Sequence, residues 1–394
     1  MTASATDPEA LAERVRSRLI TLGHPPTPAA VATAVRAEYG SPIGDRTLFT
    51  LTARLHAELV GAGPLTALLA EPTVTDVLVN GPQEVWVDRG AGLQRVHCDL
   101  GDDTAVRRLA QRLAAACGRR LDDASPFVDA KLPDGTRLHA ALPPVAATAV
   151  HLSLRTFRPQ GFTVDDLVAA GTFTPESAAI ARAVLAARLA FLVSGGTGSG
   201  KTTLLSALLG EVPADERLVI VEDATELRPV HPHVVSLEAR PANAEGAGEI
   251  VVRTLVREAL RMRPDRIVVG ECRGPEIAEL LAALNTGHDG GAGTLHANTP
   301  DAVPARIEAL GLLAGLSRDA VHAQLAGALH VVFHVVRRMP GGGRPGLRMV
   351  TAIGVFGVGP DGRVVVRPAW RRDGGPTPGL ASLHALLDAR GGRR

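Results

Sequence analysis

The spacing of hydrophobic and polar positions divides the chain into regions of different predicted structure. In residues 1–60, apolar residues recur every three to four positions in short runs, and the breaker sequences GHPPTP and GSPIGD separate these runs. This period predicts short helices. In residues 61–157, runs such as TDVLVNG and EVWVD predict strands, and residues 102–117 have the pattern of an amphipathic helix. The sequence therefore predicts a helical N-terminal segment followed by a smaller α+β domain.

From residue 174 onwards, long apolar runs alternate with helical patterns. Strands are predicted at LAFLVSGG, RLVIVED, RIVVGE and GTLHA, and helices at KTTLLSALLG, IVVRTLVREALRM and PEIAELLAALNTG. Buried strands that alternate with helices predict a mostly parallel sheet covered on both faces, which defines an α/β fold. Roughly the last sixty residues return to a period of two, which predicts added antiparallel strands. Residues 174–394 are therefore expected to form one α/β domain.

A linker is predicted between these two regions. Residues 158–173 are rich in turn-forming residues. Directly after them, Thr174, Pro175 and Glu176 have the features of a helix start: a hydroxyl at the cap position, a proline at the first position and an acid in the first turn. The predicted linker therefore ends where this helix begins.

Composition and charge limit the function. A chain of 394 residues favours more than one domain, and 45% hydrophobic residues are typical of a folded protein. A net charge of +1 gives no long-range field for nucleic acid, so no nucleic acid partner is expected. The cysteines form no C-x-x-C pair, which fits a reducing cytoplasm. No signal peptide or membrane span is predicted, so any membrane contact is expected to be peripheral.

The stretch GGTGSGKTT matches the phosphate-binding pattern G-x-x-x-x-G-K-[ST]. A glycine-rich loop between a strand and a helix can surround phosphates with backbone N–H groups. Lys201 would reach the β- and γ-phosphates, and Thr202 would bind Mg²⁺. The chain has only two lysines, and one of them lies where this motif requires it. The predicted nucleotide-binding residues are Gly195, Gly196, Thr197, Gly198, Ser199, Gly200, Lys201, Thr202 and Thr203.

Acidic residues end two further predicted strands. RLVIVED ends in Glu222 and Asp223, with Glu226 close behind, and RIVVGE ends in Glu271. Ligands of open parallel sheets bind beyond the carboxyl ends of the strands, so these acids are expected near the glycine-rich loop. Gly270 occupies the position where P-loop proteins commonly carry a metal-binding Asp. Glu271 is therefore the candidate to polarise the attacking water, and Glu222, Asp223 or Glu226 would position the metal through water.

Two histidines flank the last predicted parallel strand. His288 and His296 lie eight positions apart, a spacing that does not fit zinc ligands on a helix. Both are expected near the ligand edge of the sheet. There, a neutral histidine can donate to a phosphate or relay a change in nucleotide state.

Four motifs together resemble a known family. SGGTGSGKTTLL, VIVEDATEL, RMRPDRIVVGECRG and LNTGHDGGAGTLHANTP resemble, in this order, the Walker A, Asp, Walker B and His boxes of the type II/type IV secretion ATPase superfamily. The sequence is most similar to the tight-adherence (Tad/Flp) pilus assembly ATPases. The similarity extends upstream to GPLTALLAEPTVTDVLVNGP and HLSLRTF. It covers about residues 60–350, and an ordered set of four motifs is specific.

The resemblance implies a RecA-like P-loop NTPase domain that uses ATP and Mg²⁺. It implies a catalytic role for Glu271, and it assigns to His288 and His296 the coupling of nucleotide state to movement. In this family, arginines of the N-terminal domain contact the terminal phosphate. Arg137 and Arg155 stand at the matching positions. An arginine on a separate, movable domain would tie hydrolysis to motion.

The implied function is that of a motor. The resemblance implies a homo-oligomeric, hexameric ring on the cytoplasmic side of the inner membrane, which couples ATP hydrolysis to work on a membrane platform protein. A conjugation or DNA-transfer ATPase, or a pilus retraction motor, is an alternative because the cores of these proteins have similar sequences. A nucleotide-sensing interaction protein with little turnover is an alternative of another class. The cargo and the direction of work stay open.

Overall fold

The computed structural model describes residues 8–22, 27–40, 42–156, 161–242, 247–338 and 346–391. The chain divides into two compact units, Met1–Arg158 and Pro159–Arg394. Within the described residues, each unit is built around two hydrophobic clusters of its own.

The first unit begins with three helices. These are α1 (Pro8–Thr21), α2 (Pro28–Glu38) and α3 (Asp45–Val60). The apolar residues at helical spacing meet in a small core, which includes Leu11, Val15, Val35 and Leu55. Thr27 caps α2, because its side chain accepts a hydrogen bond from the backbone N–H of Ala30. The predicted helical segment is thus present.

The rest of the first unit is an α+β fold, as predicted. Its elements are α4 (Thr66–Ala70), β1 (Asp76–Asn80), β2 (Val85–Asp88), β3 (Leu93–Val96), α5 (Asp103–Ala116), β4 (Phe127–Lys131), β5 (Arg137–Ala141) and β6 (His151–Arg155). Within the described residues of this unit, six strands form an antiparallel sheet in the order β3-β2-β1-β6-β5-β4. Asp102 caps α5 by accepting from Ala105 N at 2.7 Å. Alternate strand residues such as Leu152 and Leu154 join Leu109 and Leu113 of α5 in one core.

The second unit alternates strands and helices. Its elements are α6 (Val164–Ala169), α7 (Pro175–Ala186), β7 (Phe191–Gly195), α8 (Lys201–Gly210), β8 (Leu218–Glu222), β9 (Val234–Glu238), α9 (Val252–Ala259), β10 (Arg266–Cys272), α10 (Glu276–Asn285), β11 (Ala292–His296), α11 (Val303–Leu313), α12 (Arg318–Ala328), β12 (Val331–Arg338), β13 (Leu347–Val358), β14 (Val364–Arg371), β15 (Gly375–Pro376) and α13 (Gly379–Gly391).

These strands form one sheet with a parallel and an antiparallel part. In the described chain its order is β15-β14-β13-β12-β7-β11-β10-β8-β9. The strands from β12 to β9 are parallel, and β13 to β15 add antiparallel strands at one side. Each face carries its own core: Phe191 and Val193 pack on one face, and Leu192 packs on the other. The predicted α/β fold with helices over both faces is therefore confirmed.

Three elements differ from the sequence-based expectation. Within the predicted linker, residues 161–173 include α6, in which Thr163 and Asp166 form a capping box. Leu167 and Phe173 of this segment are buried in the core of the second unit, so it is part of that unit. The sequence patterns also did not reveal β9 or α13. Strand β9 lies at the edge of the sheet and is only half-buried, so its apolar pattern is weak.

Across the described ranges, no helix is both long and apolar enough to cross a membrane.

A buried ion pair joins three elements at the amino edge of the parallel sheet. The side chain of Arg266, at the start of β10, is fully buried. Its Nε donates to Glu216 Oε2 at 2.6 Å, and its Nη2 donates to the carbonyl of Leu185 at 2.9 Å. Arg188 Nη1 lies 3.1 Å from Glu216 Oε1. Glu216 is therefore the counter-charge for a guanidinium that water does not reach.

We predict that Glu216→Ala strongly destabilises the second unit. Removal of one partner leaves a buried charge without compensation, so the free energy of unfolding should fall by about 3–5 kcal/mol. Urea unfolding measures this change through the fluorescence of Trp370, in a chain where Trp86 is replaced by Phe. Glu258→Ala is the control, because Glu258 is 55% exposed and lies 3.9 Å from Arg261, and it should cost less than about 1 kcal/mol. Equal losses in the two variants would contradict the prediction.

Candidate nucleotide-binding site

The loop between β7 and α8 is shaped by glycines. Gly200 has a φ of +96° and directly precedes α8, in a conformation that residues with a Cβ rarely adopt. A Cβ on Gly195 would overlap the carbonyl oxygen of Val335 on the neighbouring strand β12. Among the described residues no side chain caps α8. Its first N–H groups are therefore available to an anion.

Lys201 is folded back over this loop. It is only 7% exposed, and its Nζ donates to the carbonyls of Gly195 at 3.2 Å and Gly196 at 2.9 Å. Nζ also lies 3.3 Å from His296 Nε2. A buried ammonium that is held by carbonyl oxygens beside a helix start is well placed for phosphate oxygens, which would be stronger partners.

Glu222, at the end of β8, fills the space that an acid at position 270 would otherwise need. It is 4% exposed, and its Oε1 accepts from the backbone N–H groups of Glu226 and Leu227, both at 3.0 Å. A Cβ on Gly270 would lie 2.5 Å from Cγ of Glu222. The missing side chain at Gly270 on β10 therefore makes room for a carboxylate from the adjacent strand.

The environment of Glu222 opposes its ionisation. Burial raises the pKa of this carboxyl to about 7, and the negative charges of Glu226 and Glu238 act in the same direction against the two backbone hydrogen bonds. Its Oε2 is buried and makes no hydrogen bond within the described part of the chain. A buried carboxylate oxygen without a partner is a suitable acceptor for a hydrated cation.

Thr202 and Glu226 face each other at the same edge. Thr202 Oγ1 donates to Glu226 Oε2 at 3.5 Å. The described ranges contain no group of three or more His, Cys, Asp or Glu side chains that could hold a metal ion. Mg²⁺ commonly keeps several waters and takes few protein ligands beside phosphates, so the Thr202 hydroxyl and the acids Glu222 and Glu226 fit it as direct and water-mediated partners.

Glu271, near the end of β10, is bound at one oxygen and crowded at the other. Its Oε2 accepts from Arg273 Nη2 at 2.7 Å. Its Oε1 lies 2.8 Å from His296 Nε2 but makes no aligned hydrogen bond in the described chain. Burial opposes its charge, yet the Arg273 hydrogen bond and the nearby charges of Arg273 and Lys201 outweigh burial and hold the pKa of Glu271 below its usual range. Glu271 is therefore ionised at neutral pH.

His296 ends β11 and lies in register with Gly195. Burial lowers the pKa of its ring, and the nearby charge of Lys201 lowers it further against the opposing effect of Glu271. The ring is therefore neutral at pH 7. Its Nε2 lies between the Lys201 ammonium and the Glu271 carboxylate. The structure thus brings His296 together with the predicted loop and the predicted base.

His288 does not join this group. It precedes β11, so it lies towards the amino edge of the parallel sheet, whereas Gly195 and His296 lie at the carboxyl edge. Its Nδ1 is 3.2 Å from the carbonyl of Ala283 at the end of α10. The expectation that both histidines lie at the ligand edge is therefore wrong for His288, because the two residues stand at opposite ends of one strand.

Arg137 and Arg155 lie in the first unit. They stand directly opposite each other on β5 and β6, and Asp76 of β1 is the next residue across the sheet. Both side chains lie on the face opposite the core residues Leu138 and Leu154. The two arginines therefore form one pair on one sheet. Their contact with a terminal phosphate stays a prediction.

Three residues of the site were not predicted from the sequence. Arg273 binds Glu271, and its position two residues after the predicted base was the available signal. Arg348 of β13 donates from Nε to the carbonyl of Gly198 at 3.4 Å. His334 of β12 is buried with its Nδ1 2.9 Å from Ser194 Oγ, directly before the glycine-rich loop. The last two come from distant parts of the chain, so no local pattern could reveal them.

The fold and the site together define a RecA-like P-loop protein. The sequence model of the family described as "Type II/IV secretion system protein" matches residues 58–345. The chain belongs to this family. The predicted superfamily is thereby confirmed.

Several known proteins are similar to the chain. A putative conjugal transfer protein of Mycobacterium tuberculosis (strain H37Rv) is 54% identical over 354 residues, which cover 88% of this chain and 99% of that protein. A type IV secretion system protein PtlH homolog of Bordetella bronchiseptica is 30% identical over 338 residues, and the aligned region covers 79% of this chain and 94% of that protein. The crystal structure of the pilus retraction motor PilT with bound ADP superposes with a TM-score of 0.52 at 18% identity. The match covers 83% of this chain and 85% of the PilT chain. This last similarity supports the fold.

We predict that Gly270→Ala destabilises the protein through Glu222. The added methyl carbon would lie 2.5 Å from Glu222 Cγ, so the free energy of unfolding should fall by about 1–3 kcal/mol. Urea unfolding measures the loss. In a Glu222→Ala background the clash is removed, and Gly270→Ala should then cost less than about 0.5 kcal/mol. The same cost in both backgrounds would show that Glu222 is not the cause.

The raised pKa of Glu222 predicts a pH-dependent stability. The folded protein holds this proton up to a pKa of about 7, whereas the ordinary value is 4.5. Stability from this group is therefore present at low pH and is lost as pH rises towards 7. Without nucleotide and Mg²⁺, Glu222→Gln should raise the free energy of unfolding by about 1–3 kcal/mol at pH 8 and by less than about 1 kcal/mol at pH 5. A gain that is equal at both pH values would contradict this origin.

Proposed function

We propose that the protein is an ATPase that binds ATP and Mg²⁺ at the carboxyl edge of the parallel sheet. The observation that carries this proposal is the convergence of Lys201, Glu222 and Glu271, from three different elements, on one edge beside an uncapped helix start. The N–H groups of α8 and the ammonium of Lys201 bind the phosphates. When bound, Mg²⁺ neutralises charge on the phosphates, and Thr202, Glu222 and Glu226 are its partners.

Glu271 is the general base of this proposal. It is ionised at neutral pH, and its Oε1 makes no hydrogen bond in the described chain. Water attacks the γ-phosphorus, the bond from that phosphorus to the β–γ bridging oxygen breaks, and Glu271 takes the proton from water. The products are ADP and inorganic phosphate. Neutral His296, between Lys201 and Glu271, is the proposed relay of nucleotide state.

We propose that ATP hydrolysis drives mechanical work on a membrane protein. In this proposal, Arg137 and Arg155 contact the terminal phosphate from the first unit, so that hydrolysis and movement of that unit are coupled. The resemblance to secretion ATPases supports a homo-oligomeric ring, a hexamer, at the cytoplasmic face of the inner membrane. The ring would act on a platform protein of the membrane machine. Assembly of a Tad/Flp-type pilus is the specific role we propose.

A second candidate within this family is conjugal transfer. The relative from Mycobacterium tuberculosis that is 54% identical carries the name "putative conjugal transfer protein", and this similarity favours the candidate. A nucleotide-sensing protein with little turnover is the alternative of another class. The ionised Glu271 beside Lys201 favours turnover instead.

We predict that Glu271→Gln abolishes turnover without loss of nucleotide binding. Loss of a general base should lower kcat by about 100-fold or more, while the Kd for ADP stays within about threefold. Phosphate release and calorimetric ADP binding measure the two quantities. Lys201→Ala should instead lose nucleotide binding, and Glu258→Gln, which changes an exposed glutamate on α9, should change neither. Unchanged turnover in Glu271→Gln would refute the assigned base.

The cellular role is tested with the same variant. A strain that carries Glu271→Gln should lose fine surface fibres if the motor assembles a pilus. Loss of DNA transfer with intact fibres would support conjugal transfer instead. Normal fibres and normal transfer would contradict both roles of the motor.

A further inference from the structure

Arg273 is held in a defined position beside Glu271. It follows the last residue of β10, and its Nη2 donates to Glu271 Oε2 at 2.7 Å although the side chain is 57% exposed. The backbone beneath it is fixed as well. The buried carboxylate of Glu276 accepts from the N–H groups of Arg273 at 2.6 Å and Gly274 at 2.7 Å. Hydrogen bonds to Glu276 therefore hold the backbone from which the Arg273 side chain extends.

The charges around Arg273 come from several elements. Glu271 shares its own segment, and Asp223 and Glu226 come from the turn after β8. Each of the three favours the charged guanidinium and raises its pKa, with the Glu271 hydrogen bond as the largest cause. On the far side of Glu271 lie His296 from β11 and Lys201 from α8. Arg273 is thus a cation among three acids, and it makes its hydrogen bond to the proposed base.

The two oxygens of Glu271 have different surroundings. Arg273 binds Oε2, whereas Oε1 is buried and makes no hydrogen bond within the described chain. A carboxylate that is held by one oxygen cannot rotate freely, so its other oxygen keeps a fixed direction. The oxygen that Arg273 leaves unbound is the one beside His296.

We propose that Arg273 is a positioning residue for ATP hydrolysis: it holds Glu271 by Oε2, so that Oε1 is directed at the attacking water. This inference rests on the proposed function and extends it to a residue outside the predicted set. In this role Arg273 acts through Glu271 and not on the phosphates. Its effect is therefore on kcat and not on nucleotide affinity.

The test compares Arg273→Gln with a matched arginine in the full-length protein. Arg257, on α9, is 58% exposed and donates to Glu279 at 2.7 Å, and Glu279 also accepts from Arg253 at 2.6 Å. Its exposure is therefore similar to that of Arg273, and it also pairs with a glutamate. Arg273→Gln should lower kcat by about 10- to 100-fold and change the Kd for ADP by less than about threefold. Arg273→Lys should recover part of kcat, since an ammonium keeps the charge without the planar fork. Arg257→Gln should leave kcat and Kd unchanged.

A double variant decides whether Arg273 acts through Glu271. If it does, Glu271→Gln with Arg273→Gln should be no slower than Glu271→Gln alone. If the two substitutions lower kcat multiplicatively in the double variant, Arg273 does not act through Glu271 and the proposal is overturned. A rise of about tenfold or more in the Kd for ADP in Arg273→Gln would place Arg273 on the nucleotide and would also overturn it. A kcat within about twofold of the parent in Arg273→Gln would also overturn it. Thermal unfolding without nucleotide should show one cooperative transition of the second unit in Arg273→Gln as in the parent, so that a loss of kcat does not reflect a loss of the folded state.

Failure of this inference is distinguishable from failure of the proposed function. If Glu271→Gln inactivates the protein but Arg273→Gln does not, the ATPase assignment stands and the positioning role falls. If Glu271→Gln turns over ATP normally, the assigned base itself is wrong, and the positioning role falls with it. A chain that binds ADP but shows no turnover in the parent would contradict the enzyme and favour the nucleotide-sensing alternative.

Discussion

The packing of Glu222 against Gly270 is the constraint on which the proposed site depends. A carboxylate on β8 occupies space that exists only because the facing residue of β10 has no side chain. Burial there raises the pKa of Glu222 and leaves Oε2 without a hydrogen bond in the described chain. Burial of this group costs free energy, and in the proposed site a bound cation would offset that cost. Without a bound cation, the position of Glu222 in the proposed site is therefore locally unfavourable.

The parallel register of the sheet produces the rest of the arrangement. Because the strands from β12 to β9 run in one direction, their carboxyl ends meet at one edge. That edge gathers acids from β8 and β10, and Lys201 and Arg273 are cations among them. Burial and neighbouring charges shift the pKa values of Glu271 and His296, so that at pH 7 Glu271 is ionised and His296 is neutral. Two groups with separated protonation states suit the division between a base and a relay.

Membership of the type II/IV secretion system protein family fits this arrangement. The family match covers residues 58–345 and so includes the first-unit sheet with Arg137 and Arg155 and, in the second unit, the glycine-rich loop with Glu222 and Glu271. A motor needs a chemical step that responds to the position of a second body. The proposed contacts of Arg137 and Arg155 would supply that response. Within the second unit, Arg273 would hold the proposed base Glu271 in a fixed orientation.

Local sequence patterns were enough to predict most of the helices and strands and the phosphate loop. Helix α8 begins at Lys201 and α7 is capped by Thr174, because caps, glycines and apolar periodicity act between near neighbours. The tertiary structure decided what depends on distant residues. It placed Arg348 against the loop and put Glu222 beside Gly270. It also separated His288 from the site, because side chains at opposite ends of one strand reach different edges of the sheet. Contacts of this kind follow from strand order and register, which no local sequence pattern encodes.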